Sequence, residues 1–471
     1  MIPLQAAAAA IGAQCDAAIE VSAVGTDTRA LTPGCLFVAL RGERFDGHDF
    51  IAMAAEAGAV AAMVDRAYVD VAPDEASLPL LVVDDTRRAL GALAAWWRGR
   101  FDIPLIGITG SNGKTTVKDM CTAILRARAQ REGHDGATAV LATAGNFNND
   151  IGLPLTLLRL RDTHRAAVIE MGMNRPGEIA YLTRLARPTV AIVNNALRAH
   201  LEGLGSIEEV AREKGSIYEG LGDDGVAIVN ADDAFAPRWI ASNAGRPVVR
   251  FALDAADAEV RAVCESRRLA VSMQLTTPQG SVTCTLRVPG LHNARNATGA
   301  AAACLAAGAS LADVARGLAD YAGTAGRLQQ RRACGGAVVL DDTYNANPDS
   351  VRVAIDVLAA TPGRKVLVLG DMGELGAASA QLHDEVGGYA KSQGVDHLLA
   401  LGQASAVAAR NFGPGGEHFA RYEALVERLR GLLDADTVVL VKGSRFMRME
   451  RVVAAIAEAG DPPDKEHAHV A

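Results

Sequence analysis

Leu105-Ile106-Gly107-Ile108-Thr109-Gly110-Ser111-Asn112-Gly113-Lys114-Thr115-Thr116 runs from an apolar strand through a glycine-rich turn into a helical pattern over Val117 to Arg126. Strand, glycine turn and helix in that order form the setting of a P-loop. Glycines let the backbone wrap a phosphate chain, and the helix N-terminus presents N–H groups and the positive end of its dipole. Lys114 is placed to reach the β/γ oxygens, and the Thr115 hydroxyl is the natural Mg²⁺ ligand. Position 108 is Ile, so the loop is the shorter G-x-x-G-K-T-T form. Thr109, Gly110, Ser111, Asn112, Gly113, Lys114, Thr115 and Thr116 are therefore the candidate nucleotide contacts, with a chance turn as the alternative.

Outward from this loop, the chain has 471 residues, more than one hydrophobic core usually serves, and three domains are expected. Hydrophobic residues make up 49% and charged residues 22%, the range of a soluble globular protein. A formal net charge of -8 argues against a nucleic-acid partner held by phosphate neutralisation. Seven cysteines without a C-x-x-C pair fit reduced thiols and a cytoplasmic location. No Lys or Arg precedes Arg29, so the basic region of a signal peptide is missing and the start reads as a helix. No stretch suits membrane insertion. A monomer is the default.

Residues 1–84 mix short apolar strands (Cys35 to Leu40, Leu80 to Val83) with Ala-rich helical stretches and a loop around residues 70–74, a small mixed α/β domain. A helix from Asp85 to Arg100 opens a second unit, 85–324. Its apolar strands end in polar residues: Ala166 to Ile169 before Glu170, Val190 to Val193 before Asn194-Asn195, Val226 to Val229 before Asn230. With helices between them, they predict a doubly wound, mostly parallel sheet. Period-two alternation over Leu269 to Val288 around Pro278-Gln279-Gly280 predicts an antiparallel hairpin at its edge. Residues 325–471 repeat the alternation with strands at 337–340, 365–369, 397–401 and 437–441, a Rossmann-like α/β domain. The tail from about 460 to 471, with His467 and His469, reads as disordered.

Polar groups at the carboxyl ends of neighbouring parallel strands converge on the ligand crevice of such folds. Taken singly, Glu170 could be a loop carboxylate, His200 a helix-cap or core histidine, and Lys214 a solvated helix residue. Together with the P-loop they belong to a longer pattern. Thr143-Ala144-Gly145-Asn146-Phe147-Asn148-Asn149-Asp150-Ile151-Gly152 is followed by Ala199-His200-Leu201-Glu202-Gly203-Leu204-Gly205-Ser206 and Pro289-Gly290-Leu291-His292-Asn293. Then come Asp341-Asp342-Thr343-Tyr344-Asn345-Ala346-Asn347-Pro348, Leu369-Gly370-Asp371-Met372-Gly373-Glu374-Leu375-Gly376 and Val441-Lys442-Gly443-Ser444-Arg445-Phe446-Met447-Arg448-Met449-Glu450.

Over nearly the whole chain these segments resemble the Mur ligase family, in particular its branch that adds a D-alanyl-D-alanine dipeptide. The resemblance implies one domain each for a UDP-sugar substrate, ATP and the dipeptide. It implies an ATP-dependent amide ligase joining D-alanyl-D-alanine to UDP-N-acetylmuramoyl-tripeptide through an acyl phosphate, the last cytoplasmic step toward the pentapeptide precursor of peptidoglycan. Lys114, Glu170, His200 and Lys214 would be the catalytic group. Two Mg²⁺ ions are implied, one of them held by Glu170, His200 and a Lys214 carbamate formed from CO₂. The carbamate makes chemical sense, since an ammonium repels Mg²⁺ whereas a carbamate offers it hard oxygen ligands. Ser216 stands where the resemblance leads one to expect an acidic residue, two positions after the lysine.

By the same resemblance Asn293 and Asn296 lie near adenine, Arg327 near the phosphates and Asp342 on the ribose, although Asn296 could equally be an ordinary helix residue. Asp27, Thr28 and Arg29, with the segment Phe45-Asp46-Gly47-His48-Asp49-Phe50, would meet the UDP group. For any one of them a surface turn with a salt bridge is an equal alternative. Asn146 and Asn148 are carried over as substrate contacts, and Tyr344, Asn345 and Asn347 as dipeptide contacts. The alternatives are another ligase of the group, such as folylpolyglutamate synthase, and a P-loop switch or motor acting on a partner. The D-D-T-Y-N-A-N-P and A-H-L-E-G-L-G segments favour the dipeptide branch.

Overall fold

The apolar runs of the central region alternate between two cores. Leu105, Ala167, Ile169, Ala191 and Val193 enter one, and Ile106, Ile108, Val168, Val190 and Ile192 enter the other. Strands buried on both faces need no polar alternation, which is why they read as continuous hydrophobic runs. In this computed structural model, which describes residues 1–15, 17–70, 77–267 and 270–458, they form a nine-stranded sheet. Its order is Gly280–Leu286, Ala270–Thr277, Val260–Arg267, Val248–Ala252, Val226–Asn230, Val190–Val193, Leu105–Thr109, Ala166–Glu170, Val140–Ala142. The run from Val140–Ala142 to Val260–Arg267 is parallel, and the last two strands are antiparallel. The expected edge hairpin is thus present, its register pairing Thr277 with Gly280. Leu269, residues 71–74 of the first-domain loop, and the tail with His467 and His469 lie outside the described residues.

The N-terminal region carries a parallel four-stranded sheet, Val24–Gly25, Leu36–Val38, Ala61–Asp65 and Leu80–Val83, beside a two-stranded antiparallel ribbon. The C-terminal region carries six strands in the order Gln329–Arg332, Val338–Asp342, Thr437–Lys442, Arg364–Gly370, His397–Leu401, Gly416–Phe419, parallel except for the first. Leu340, Leu367 and Leu440 face one of its cores, Val339, Val366 and Val439 the other.

The helix Thr86–Arg98 joins the first two sheets. Asp85 caps it, accepting from the backbone N–H of Arg87 and Arg88, a cap worth about 1 kcal/mol. Its buried face, Leu90, Leu93, Ala94 and Trp97, belongs to one continuous core that also holds Leu4, Leu36, Leu157 and Leu182. Trp97 Nε1 donates to Leu160 O at 3.1 Å, so the indole is buried without an orphaned donor. No helix among the described residues is long and apolar enough to cross a membrane. All seven cysteines are free thiols.

Candidate active site

The phosphate loop leaves the strand Leu105–Thr109 and enters the helix Lys114–Arg131. Gly113, at φ +79°, is the residue before the first helical turn, and the turn needs its left-handed backbone. A Cβ there would stand 2.5 Å from Asn296 Oδ1 and 2.6 Å from Asn194 Nδ2. Those two side chains are themselves joined, Asn194 Nδ2 donating to Asn296 Oδ1 at 2.8 Å and to the Asn112 carbonyl at 2.9 Å. Lys114 Nζ donates to the Gly110 carbonyl at 2.9 Å. Burial lowers its pKa from the ordinary lysine value, and the Glu170 carboxylate opposes that shift. Thr109 Oγ1 donates to the Met171 carbonyl, and Ser111 Oγ to that of Leu197.

Glu170, at the carboxyl end of its strand, is 3% exposed. It accepts from Thr115 Oγ1 at 3.0 Å and from Asn148 Nδ2 at 2.7 Å. Thr115, Glu170 and Asn148 therefore form one hydrogen-bonded group beside Lys114. His200 stands at φ +57° just before the short helix Leu201–Leu204, and its Nδ1 lies 2.8 Å from Glu374 Oε2 of the C-terminal region. Burial depresses the imidazole's pKa, while the hydrogen bond from His200 holds Glu374 below the usual carboxylate range. Lys214 is not a solvated helix residue. It is 1% exposed, and among the described residues its Nζ has neither a hydrogen bond nor an ion pair. Burial, reinforced by the Lys114 charge, lowers its pKa well below 10.5. No three His, Cys, Asp or Glu side chains gather as a metal cluster among the described residues.

A cavity of about 430 Å³ opens beside the loop, lined by Asn112, Gly113, Thr116, His292, Asn293, Asn296, Arg327, Asp342 and Lys442 among others. Its size suits a nucleotide-sized ligand. Asn293 Nδ2 is tied to the Pro289 carbonyl at 2.8 Å, and burial pushes the His292 imidazole down to about 4. Asp342 accepts from the Leu328 N–H at 3.2 Å and forms a buried pair with Lys442 Nζ at 2.5 Å. Each carboxylate oxygen has a second lone pair, which leaves room for a sugar hydroxyl. Arg327 stacks over the Tyr344 ring at 4.1 Å.

Other residues singled out in the sequence sit elsewhere. Arg29 is largely exposed and forks onto Asp27, whose carboxylate also caps Thr28–Ala30, so this segment is a surface turn with a salt bridge. Thr28 Oγ1 donates to Met53 Sδ. Asn146 is exposed. Asn345 is exposed too, its Oδ1 taking the Ala346 N–H. Asn347 caps the helix Pro348–Ala359 and exchanges hydrogen bonds of 2.7 and 3.4 Å with the side chain of Asn112 in the phosphate loop.

Family models for three successive regions match along the chain: the Mur ligase family catalytic domain over residues 20–98, the Mur ligase middle domain over 108–304, and the Mur ligase glutamate ligase domain over 326–445. The UDP-N-acetylmuramoyl-tripeptide–D-alanyl-D-alanine ligase of Escherichia coli strain K12 is 46% identical over 445 residues, which is 94% of this chain and 95% of that one. The chain belongs to the Mur ligase family. A crystal structure of MurF from Acinetobacter baumannii superposes on this Mur ligase with a TM-score of 0.87 at 36% identity, covering 96% of this chain and 98% of that one. The MurF ligase of Thermotoga maritima in complex with ADP gives 0.80 at 26% identity, covering 92% and 96%. As a family member, the chain is an ATP-dependent ligase with the three-domain α/β architecture.

Several residues of this Mur ligase site escaped the sequence reading. Asn194 touches Asn112. Glu374 touches His200 and Lys442 touches Asp342, while Arg198, two residues before His200, pairs with Asp349, two residues after Asn347. Lys442 and Glu374 stood in segments already quoted, and Lys442 ends a strand adjacent to that of Asp342. A polar residue closing a buried strand was therefore an available signal for Lys442. Nothing local marks Glu374, because its partner lies in another region of the chain.

Proposed function

We propose that this ligase joins D-alanyl-D-alanine to the terminal carboxylate of UDP-N-acetylmuramoyl-tripeptide. The observation that carries the reading is the hydrogen-bonded contact between Asn112 of the phosphate loop and Asn347 of the Asp341–Pro348 segment. It sets the segment assigned to the dipeptide directly against the loop assigned to ATP. The relatives bearing the dipeptide ligase name support the same substrates.

A carboxylate is a poor electrophile until one of its oxygens becomes a leaving group. Attack of the tripeptide carboxylate on the γ-phosphorus of ATP forms an acyl phosphate and ADP. Lys114 counters charge on the phosphoryl oxygens, and the first-turn backbone N–H groups of the helix Lys114–Arg131 hold the phosphate chain in line. The dipeptide's free amine then attacks the acyl carbon and phosphate departs, leaving an amide. Water must be excluded throughout, because it competes for the acyl phosphate.

Two Mg²⁺ ions, when bound, neutralise phosphate charge. Thr115 would hold one, and Glu170, His200 and carbamylated Lys214 the other. The donors fit: a hydroxyl and a carboxylate already hydrogen-bonded together, an imidazole kept neutral by burial, and a buried lysine without a partner. An ammonium in that position is costly. A neutral amine can instead add to CO₂, forming an N–C bond and releasing a proton. Asn293, Asn296, Arg327 and Asp342 would receive the nucleoside and phosphates in the cavity, with Asn296 also bracing Gly113. Asp27, Thr28, Arg29, Asn146 and Asn148 are assigned to the UDP-tripeptide, and Tyr344, Asn345 and Asn347 to the dipeptide. The working division is 1–84 for the UDP substrate, 85–324 for ATP and 325–471 for the dipeptide, in a cytoplasmic monomer.

Mass analysis after incubation with ATP, Mg²⁺, UDP-tripeptide and D-alanyl-D-alanine tests this function. A product heavier by the dipeptide minus water is expected. ATP consumption with no new amide, or an amide formed with glutamate in preference to the dipeptide, would overturn it.

A further inference from the structure

The seven residues from Asn194 to His200 connect the phosphate loop to the C-terminal region. At one end, Asn195 Oδ1 accepts from the Asn112 N–H at 2.9 Å, and Asn195 Nδ2 donates to the Asn112 carbonyl at 3.1 Å. Ser111 N–H donates to the Asn195 carbonyl at 3.0 Å, while the Ser111 hydroxyl bridges the Leu197 N–H and carbonyl. The next residue is Arg198. Its backbone N–H reaches Asp349 Oδ2 at 2.9 Å, and its Nε and Nη2 reach Asp349 Oδ1 at 3.0 and 2.6 Å. The same guanidinium meets Glu385 at 3.1 Å, and Arg352 meets Glu385 at 2.6 Å. Two arginines and two carboxylates thus balance in charge across the boundary.

Asp349 lies in the first turn of Pro348–Ala359, the helix capped by Asn347, and Glu385 lies on Ser379–Ser392. One arginine therefore fixes two helices of the C-terminal region against the loop that braces Ser111 and Asn112. Isolated exposed ion pairs contribute little, but a planar fork shared by two carboxylates sets geometry as well as energy.

We propose that Arg198 is a positioning residue that couples seating of the C-terminal domain to the shape of the phosphate loop. The proposal rests on the ligase reading above. When the dipeptide-bearing domain docks, Asp349 and Glu385 pull Arg198 into register, and the hydrogen bonds of Asn195 and Leu197 hold Asn112 and Ser111 in place. Without the fork, the domain seats loosely and water reaches the acyl phosphate, which then reverts to carboxylate and inorganic phosphate.

The test uses the full chain with ATP, Mg²⁺, UDP-tripeptide and D-alanyl-D-alanine. Arg198→Met should raise KM for the dipeptide about tenfold, the scale of one charge-assisted contact. It should increase ATP consumed per amide formed, and weaken the compaction seen by solution scattering with an ATP analogue and both substrates. Glu385→Gln should move all three in the same direction by less, and the double variant should fall short of the product of the two effects. Arg198→Lys keeps the charge without the fork and should lie between Met and wild type; it carries the test should Arg198→Met not fold. Wild-type KM, coupling and compaction in folded variants would overturn the proposal. Failure of the ligase reading looks different, since the wild-type protein would then form no amide.

Discussion

Lys214 carries an ammonium in the unfolded chain, yet in the fold it is 1% exposed with a pKa well below 10.5. The sign of the linkage follows. Between the folded value and 10.5 the unfolded chain holds more protons, so stability rises with pH across that window and the buried amine costs stability near neutrality. Lys214→Met should therefore be more stable than wild type in CO₂-depleted buffer near pH 7, by about 1 kcal/mol or more, and should show a raised unfolding temperature. Lys214→Ala should lose ligase activity and regain part of it with added short carboxylates standing in for the carbamate; full activity without rescue would remove Lys214 from the site. His292 shifts in the same direction, from 6.5 to about 4. Protonating it disfavours the fold, so stability should fall as pH drops from 6.5 towards 4, by on the order of 2 kcal/mol after allowing for partial exposure. His292→Gln should flatten that slope in pH-dependent urea unfolding. Neither burial was legible in the sequence, where Lys214 reads like any lysine near the end of an amphipathic helix.

Among the elements, strands walled in on both faces were legible. Val190–Val193 and Thr437–Lys442 show apolar runs because neighbouring strands and helices enclose them. Three edge strands were not: Gln329–Arg332 is wholly polar, and Val140–Ala142 and Gly416–Phe419 are short, whereas the edge strands Leu80–Val83 and Gly280–Leu286 carry an apolar run or a period-two alternation. An edge strand has one paired side and needs no buried run, so its backbone pairing leaves little mark on composition. Ala61–Asp65 was hidden differently, since Ala-Ala-Met-Val reads as helix although every residue is buried in a parallel sheet. The phosphate turn was the most legible element because its glycines have a geometric cause. Gly113→Ala should reduce nucleotide affinity about a hundredfold or more, since it forces a left-handed backbone on alanine and drives a methyl into the Asn194–Asn296 amides. Nucleotide titration by calorimetry decides this, and near-normal affinity would mean that the turn relaxes freely.

For the molecule as a whole, contacts across the sheets set the chemistry. Asn112 meets Asn347, Arg198 meets Asp349 and Glu385, and His200 meets Glu374, each joining the central region to the C-terminal one. Under the proposed assignment of one substrate to each domain, the amine and acyl carbon must come within about 3 to 3.5 Å. Solution scattering of wild type should accordingly show a smaller radius of gyration with an ATP analogue and both substrates than without ligands; identical profiles would count against closure. The sequence by itself determined the α/β class, the phosphate loop, the succession of parallel strands and the membership of the ligase family. Periodicity, glycine placement and ordered motifs are local properties of a chain. Only the tertiary structure decided that Lys214 is buried without a partner, that Arg29 pairs with Asp27 on the surface, that Asn347 faces the phosphate loop, that Arg198 meets Asp349 and that His200 meets Glu374. Burial and partnership between residues up to 235 positions apart arise when separate sheets pack together, and no local pattern records them.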